Sequence, residues 1–401
     1  MNEQFTNLSI NLTKKLSSKE KKKNGIYFTP KIIINSMIDK VLSKKKNIKR
    51  ILEPSCGSCE IINIVDKKIN NIEIDAIELN KTIFDQIKVL KYKNNVRFIN
   101  KNYLDYKSNV KYDLIIGNPP YFVLPKKNVD KDYLDYFDGR PNIFILFIVK
   151  SLRELNEKGI LSFVLPKNFL NCQYYNKLRK CIYENYKILH IEDYSNAKYI
   201  ETGQKTIVFI LQKKRGINKK NVLKIKNNII FNTRNNIIQL NEYYKNSKIL
   251  KDLGFKVYVG NVVWNQVKDK LTDDNNECRL IYSSDIIDNK LSIVKYKNPE
   301  KKNFIKQKGG KDLLLVVNRG YGKGKYNFNY GLIDTDKEYL VENHLICIKS
   351  LENLERKVLL EKYKLIINSL KSEKTKKFVD LYFGNNAMNT RELGEIMPIY
   401  L

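Results

Sequence analysis

Four short apolar runs in the first third of the chain each end on polar residues. Ile51-Leu52 leads into Glu53-Pro54-Ser55-Cys56-Gly57-Ser58-Cys59, and Ile74-Asp75-Ala76-Ile77 ends on Glu78. Val96-Arg97-Phe98-Ile99 leads to Asn102, and Asp113-Leu114-Ile115-Ile116-Gly117 ends on Asn118-Pro119-Pro120-Tyr121. Each run is rich in β-branched residues and of strand length, and helical stretches separate them. Strands alternating with helices predict an open parallel sheet. Polar residues at the carboxyl end of every strand predict a binding crevice along that edge.

The strand ends carry chemistry in their residue types. The Gly/Ser/Cys turn after the first run precedes a helix, so its backbone N–H groups can approach a nucleotide-like ligand closely. Glu78 is placed to take the two hydroxyls of a ribose. In the tetrapeptide, Asn118 offers a side-chain carbonyl and Pro119 a backbone carbonyl held at fixed φ. Together they can accept both hydrogens of an exocyclic –NH2 group, and Tyr121 adds a flat face for the ring that bears it. Alone, the tetrapeptide reads better as a proline-rich turn that merely stops a strand; the three preceding strand ends overturn that in favour of the chemical reading.

With these motifs in place, the chain resembles the gamma-type N6-adenine DNA methyltransferases of restriction-modification systems, the TaqI methyltransferase-like enzymes. Asn24-Gly25-Ile26-Tyr27-Phe28-Thr29-Pro30 matches the family's first segment. Segments 140–144, 159–166 and 204–210 resemble its later strands and helix, and 389–393 its closing segment. The resemblance implies a Rossmann-like α/β domain that binds S-adenosylmethionine, followed by a mixed α+β target-recognition domain on double-stranded DNA. It implies that Thr29 sits near the methionine carboxylate, that Glu53, Pro54 and Gly57 form the cofactor loop with Glu78 on the ribose, and that Asn102 and Asn118 also contact the cofactor. Asn118, Pro119 and Tyr121 become the catalytic residues, and the target adenine is extruded and stacked between Tyr121 and Tyr199. Core packing is the plainer reading of Tyr199, and Phe209 reads as core. Three positions depart from the family pattern: Cys59 for a glycine, Glu60 for an aromatic, and Asn102 for an aspartate, whose amide oxygen accepts without charge assistance.

Length changes the picture beyond residue 215. A chain of 401 residues, 42% of them hydrophobic, holds about two or three domains. We expect a basic arm over 1–23, a catalytic domain over 24–215, a short strand-bearing connector over 216–245 and a reader domain over 246–401. Under the resemblance, candidate DNA contacts are Trp264, Asn265 and Gln266, the basic glycine-punctuated loop with Arg319, Lys323 and Lys325, and Arg391.

The formal net charge of +31 fits a polyanionic partner, although lysine-rich codon bias produces the same excess. No apolar stretch reaches spanning length and no secretory signal is evident, so a cytoplasmic, DNA-associated monomer is expected, with a cognate restriction endonuclease as a second partner. Cys56 and Cys59 form a Cys-x-x-Cys, but with only His190 and His344 elsewhere no metal site is expected, and the thiols are read as reduced. Protein glutamine N5-methylation, RNA adenine N6-methylation and a catalytically silent DNA-binding module remain as alternatives. The first of these families carries a helical domain before the catalytic one and lacks a long basic domain after it.

Overall fold

The computed structural model describes residues 2–319, 329–383 and 388–401. The chain divides into two compact units, Met1–Ile237 and Ile238–Leu401.

The first unit opens with α1 (Asn7–Lys15), α2 (Ser18–Asn24) and α3 (Lys31–Leu42). It continues through β1 (Arg50–Glu53), α4 (Glu60–Lys68), β2 (Glu73–Ile77), α5 (Lys81–Ile87), β3 (Asn95–Ile99) and β4 (Tyr112–Gly117). After these come α6 (Ile143–Glu154), β5 (Leu155–Pro166), α7 (Asn176–Asn185), β6 (Lys187–Asp193) and β7 (Thr206–Gln212). These seven strands form one sheet in the order β3-β2-β1-β4-β5-β7-β6. The pairings from β3 to β5 are parallel, whereas β7 runs antiparallel to both its neighbours.

Alternation along the strands builds two cores. Ile51, Leu114, Ile116, Val208 and Ile210 face α3 and α4, whereas Leu52, Ile115, Leu161, Phe209 and Leu211 face α6 and α7. A strand apolar on both faces must be covered twice, and the three-layer sandwich does so. The predicted strand ends fall on one edge of the sheet. Because β1 continues toward β2 and β4 toward β5, the crevice opens where the winding reverses.

Two expectations are corrected. The stretch 1–23 is no free arm: Phe5, Leu12 and Leu16 are buried in the core that contains α3. The Glu60 carboxylate accepts from the Thr6 backbone N–H at 2.6 Å and from the Ser9 hydroxyl at 2.5 Å. The catalytic unit also does not stop at 215. Residues 216–237 include the hairpin β8 (Val222–Ile225) and β9 (Asn228–Phe231), whose Phe231 stacks on Phe209 with ring centres 5.8 Å apart. The unit boundary falls inside α8 (Arg234–Tyr244).

The second unit is mixed. Its strands are β10 (Phe255–Val259), β11 (Leu271–Thr272), β12 (Cys278–Ile281), β13 (Ile286–Ile287), β14 (Lys290–Leu291), β15 (Phe304–Ile305), β16 (Leu314–Asn318), β17 (Tyr330–Ile333), β18 (Tyr339–Val341) and β19 (Leu345–Ser350). Its helices are α9 (Arg356–Lys371), α10 (Glu373–Tyr382) and α11 (Thr390–Glu395). One sheet is β10-β19-β16-β17, antiparallel throughout; another is β11-β15-β12-β18, where only β12 and β18 run parallel.

Candidate active site

A cleft opens at the carboxyl ends of β1, β2 and β4, with Gly25, Gly57, Glu78, Asn102, Asn118 and Pro120 among its walls. Gly57 turns the loop after β1 with φ +52°, and its N–H donates to Glu78 Oε2 at 2.9 Å. The Asn80 N–H donates to Glu78 Oε1 at 2.7 Å. Burial nevertheless pushes the Glu78 carboxyl up to about 7.

Cys59 takes a left-handed backbone (φ 65°) immediately before α4, the conformation glycine adopts freely and other residues only at a cost of roughly 1 to 2 kcal/mol. Its fully buried side chain packs beneath α3 and α4. Cys56 and Cys59 are both free thiols.

Three acids cluster around this loop. Glu53, Glu60 and Glu78 are all buried, and no ion pair among the described residues reaches any of them. Glu53 Oε2 has no hydrogen-bond partner. Its carboxyl is held well above the ordinary range, first by burial and then by Cys59, Glu78 and Glu60. Buried carboxylates without a cation favour a ligand that brings one. S-Adenosylmethionine carries a sulfonium and an α-ammonium, so the donor set fits it. Of these acids Glu78 stands in the cleft wall, whereas Glu53 is buried behind the loop and is not among the residues that line the cleft.

Asn102 caps a 3-10 turn at Tyr103–Asp105. Its Oδ1 accepts from the Leu104 N–H at 3.1 Å and its Nδ2 donates to Asp105 at 2.8 Å. Asp105 is exposed and fixes this amide.

The tetrapeptide leaves β4 with Asn118 pinned. Asn118 Nδ2 donates to the Tyr27 carbonyl at 3.2 Å and to Thr29 Oγ1 at 3.1 Å. Both amide hydrogens are therefore engaged, and that network assigns the orientation of Oδ1. Thr29 is buried, and its hydroxyl serves Asn118. The Tyr121 hydroxyl lies 2.5 Å from Asn118 Oδ1 and 2.8 Å from the Val164 carbonyl; its single proton can serve only one acceptor at a time. Burial, and then nearby Tyr199, hold this phenol well above its ordinary range. Its ring meets Phe144 edge-on with centres 6.1 Å apart.

Tyr199 is 7% exposed and shares a hydrogen bond with Thr206 Oγ1 at 2.9 Å. Phe209 lies in the opposite core, as a core residue. Gly25 was missed as a site residue, although it lies inside the quoted first segment. Its φ is +64°, and a Cβ there would stand 2.8 Å from Pro120 Cβ.

In the second unit, Trp264, Asn265 and Gln266 form one 3-10 turn. The indole packs against the cluster containing Leu280 and Tyr282, with the Lys268 and Lys301 ammonium groups 5.8 and 5.9 Å from its ring; Asn265 and Gln266 are exposed. Arg319 is half-buried after β16, and its carbonyl accepts from the Met388 N–H. Arg391 lies on α11, with Glu395 3.4 Å away. Lys323 and Lys325 lie outside the described residues. No helix among the described residues is long and apolar enough to cross a membrane.

Residues 4–200 match the family model described as Eco57I restriction-modification methylase. The modification methylase CviBIII of Paramecium bursaria Chlorella virus NC1A is 26% identical over 408 residues, covering 99% of each chain. The type II methyltransferase M.CvrRI of Paramecium bursaria Chlorella virus XZ-6E is 27% identical over 86% of this chain and 88% of its own. Among solved structures, a cryo-electron microscopy structure of a DrdV–DNA complex covers 98% of this chain and 57% of that one, with a TM-score of 0.53 and 13% identity. The second figure shows shared fold alone. Over residues 4–200 the chain is similar to the Eco57I restriction-modification methylases, and it is a restriction-modification-type methyltransferase whose methyl donor is S-adenosylmethionine.

Proposed function

We propose that the protein methylates N6 of an adenine turned out of double-stranded DNA. In this reading it acts as a cytoplasmic, DNA-associated monomer, the modification partner of a restriction endonuclease with the same specificity. The observation that carries the proposal is the pinned Asn118 amide at the mouth of the cleft, inside Asn118-Pro119-Pro120-Tyr121. A modification methylase similar over 99% of the chain, a type II methyltransferase similar over 86% of it and a DNA-bound structure of the same fold support the choice of DNA.

Bound S-adenosylmethionine supplies an electrophilic methyl group on a sulfonium. The adenine N6 lone pair is delocalised into its ring, so the nitrogen attacks only as its geometry moves toward tetrahedral. Asn118 Oδ1 and the Pro119 carbonyl, accepting its two hydrogens, favour that change and stabilise the charge that develops. Asn118 Oδ1 has two lone pairs, so it can accept from the substrate beside the bond from Tyr121 or in its place. The Val164 carbonyl gives the displaced hydroxyl proton a second acceptor 2.8 Å from the phenol oxygen. Neither acceptor is basic enough to keep a proton, so their role is electrostatic: as the N–C bond forms the sulfonium C–S bond breaks, its electron pair leaves on the thioether, and the proton that the methylated nitrogen sheds passes to water. Tyr121 and Tyr199 would stack on the two faces of the base, while Trp264, Asn265, Gln266, Arg319, Lys323, Lys325 and Arg391 would contact the duplex.

The test is incubation with labelled S-adenosylmethionine and, separately, duplex DNA, RNA and a glutamine-bearing protein, followed by nucleoside and residue analysis. N6-methyladenine from DNA alone supports the proposal; label in N5-methylglutamine, in RNA, or in no product overturns it.

A further inference from the structure

Methyl transfer leaves the lysine-rich stretch before residue 24 without a role, yet one of its lysines is not on the surface. Lys21 is 5% exposed. Its ammonium lies 2.7 Å from the Thr13 carbonyl, 2.8 Å from Glu201 Oε1 and 2.7 Å from Glu201 Oε2. Lysine is almost never buried unless paired, and a buried ammonium is retained only where its partners are fixed. Here the charged partner lies 180 residues further along the chain. Glu201 belongs to the segment 194–205 between β6 and β7, two residues after Tyr199.

The helix that carries Lys21 also touches the rest of the site. Glu20 Oε1, one residue earlier, accepts from Asn80 Nδ2 at 2.8 Å, and the Asn80 N–H bonds Glu78. At its other end α2 stops at Gly25, pressed on Pro120 and within 3.0 Å of the Tyr121 nitrogen by the position of its would-be Cβ. One small cavity is lined jointly by Thr13, Lys21, Ile26, Tyr27, Tyr199 and Glu201. The carbonyl of that Tyr27 is the one that pins Asn118.

We infer that Lys21 is a positioning residue for the target-base side of the site, holding Glu201 so that the segment bearing Tyr199 is fixed against the same helix that contacts the Glu78 turn and the catalytic tetrapeptide. Among the described residues Tyr199 has one side-chain hydrogen bond, to Thr206, besides its packing in the core, and the Lys21–Glu201 pair adds a polar tie to its segment. Removing it frees a segment that must be ordered when the base arrives, and that ordering then weighs on the step after cofactor binding. The identity of the base rests on the adenine proposal; the role of Lys21 rests on the geometry.

The test uses the full-length protein and Lys21→Met. Methionine fills similar volume without leaving a buried charge, and Glu201, whose side chain is 37% exposed, can hydrate, so the fold is expected to survive. The readouts are kcat, KM for S-adenosylmethionine, and emission from 2-aminopurine placed at the target position of a duplex. The expected result is a kcat about tenfold lower, or about 1.4 kcal/mol, with KM for the cofactor within about twofold and a weaker 2-aminopurine signal. Glu201→Gln should move the same readouts in the same direction. The double variant should be no worse than the poorer single one, because the two residues act as a unit.

Unchanged kcat and emission in Lys21→Met overturn the inference. So do strictly additive effects, or a rise in cofactor KM with kcat unaltered. If the unaltered protein methylates an amine other than adenine N6, the adenine proposal fails, while the split between kcat and KM on that substrate still decides the role of Lys21.

Discussion

Asn118 has one side-chain oxygen to offer, and Tyr121 already donates to it. Asn118→Ala removes the acceptor together with the Nδ2 bonds to Tyr27 and Thr29, while the other residues of the cleft wall are unaltered. Methyl transfer is therefore expected to fall by about a hundredfold or more, in line with losing one preorganised group at a developing charge. Cofactor affinity by calorimetry should stay within about threefold. Equal losses in both would make Asn118 structural. For Tyr121, stacking is worth roughly 1 to 3 kcal/mol per base, so Tyr121→Ala should cut turnover on matched duplexes and be partly rescued by a mismatch opposite the target. Tyr121→Phe keeps the ring but leaves the Val164 carbonyl without this donor. It should retain turnover within about threefold while losing about 1 kcal/mol of stability in urea melts. A Phe variant as slow as Ala would remove Tyr121 from the stacking role.

Glu78 adds a pH dependence. Its carboxyl titrates near 7 in the unliganded fold and near 4.5 unfolded. The folded state therefore holds the proton more tightly, and ionised Glu78 costs stability increasingly as pH rises from about 4.5 through 7. A cationic ligand reverses that preference. The melting-temperature gain from saturating S-adenosylmethionine should consequently be larger at pH 8 than at pH 6. A gain that is flat or larger at pH 6 would show that Glu78 does not feel the ligand's charge.

Among the elements, α2 and the turn after it are the most exacting. Gly25 has a positive φ and backbone 3.0 Å from where its Cβ would be. Gly25→Ala should displace Pro120 and lose about 1 to 3 kcal/mol, with turnover falling further than cofactor affinity, measured in the same melts and assays. The four strand ends that carry Glu53, Glu78, Asn102 and Asn118 were legible in the sequence, because a strand covered on both faces is a continuous apolar run and its polar end stands out. The N-terminal helices were not. In a run such as Lys19-Glu20-Lys21-Lys22-Lys23, nothing local separates the buried Lys21 from its solvated neighbours, since its partner is distant in sequence. The hairpin β8-β9 was visible as short apolar runs. Its union with the first unit was not, because that depends on Phe231 meeting Phe209. Cys59 was visible as a departure, while its left-handed backbone was not.

At the scale of the molecule, the two units divide the expected labour. A chain ending at Lys245 retains every element of the first unit and the end of α8, so it should fold, bind S-adenosylmethionine and lose sequence-specific methylation, as followed by circular dichroism, calorimetry and digestion of methylated plasmid. Undiminished site-specific methylation would show that base reading does not reside beyond that point.

The strand order has a consequence during synthesis. β5 sits inside the sheet between β4 and β7, yet β7 is the last of the seven strands to leave the ribosome, some forty residues after β5 ends. Until residues 206–212 emerge, β5 presents a long, apolar, unpaired edge of the kind that recruits other strands. The matched family segment stops at residue 200, short of that closure. A nascent chain stalled there, or a gene truncated there, would carry the cleft residues yet expose its own sheet, and it should aggregate where the chain ending at Lys245 stays in solution.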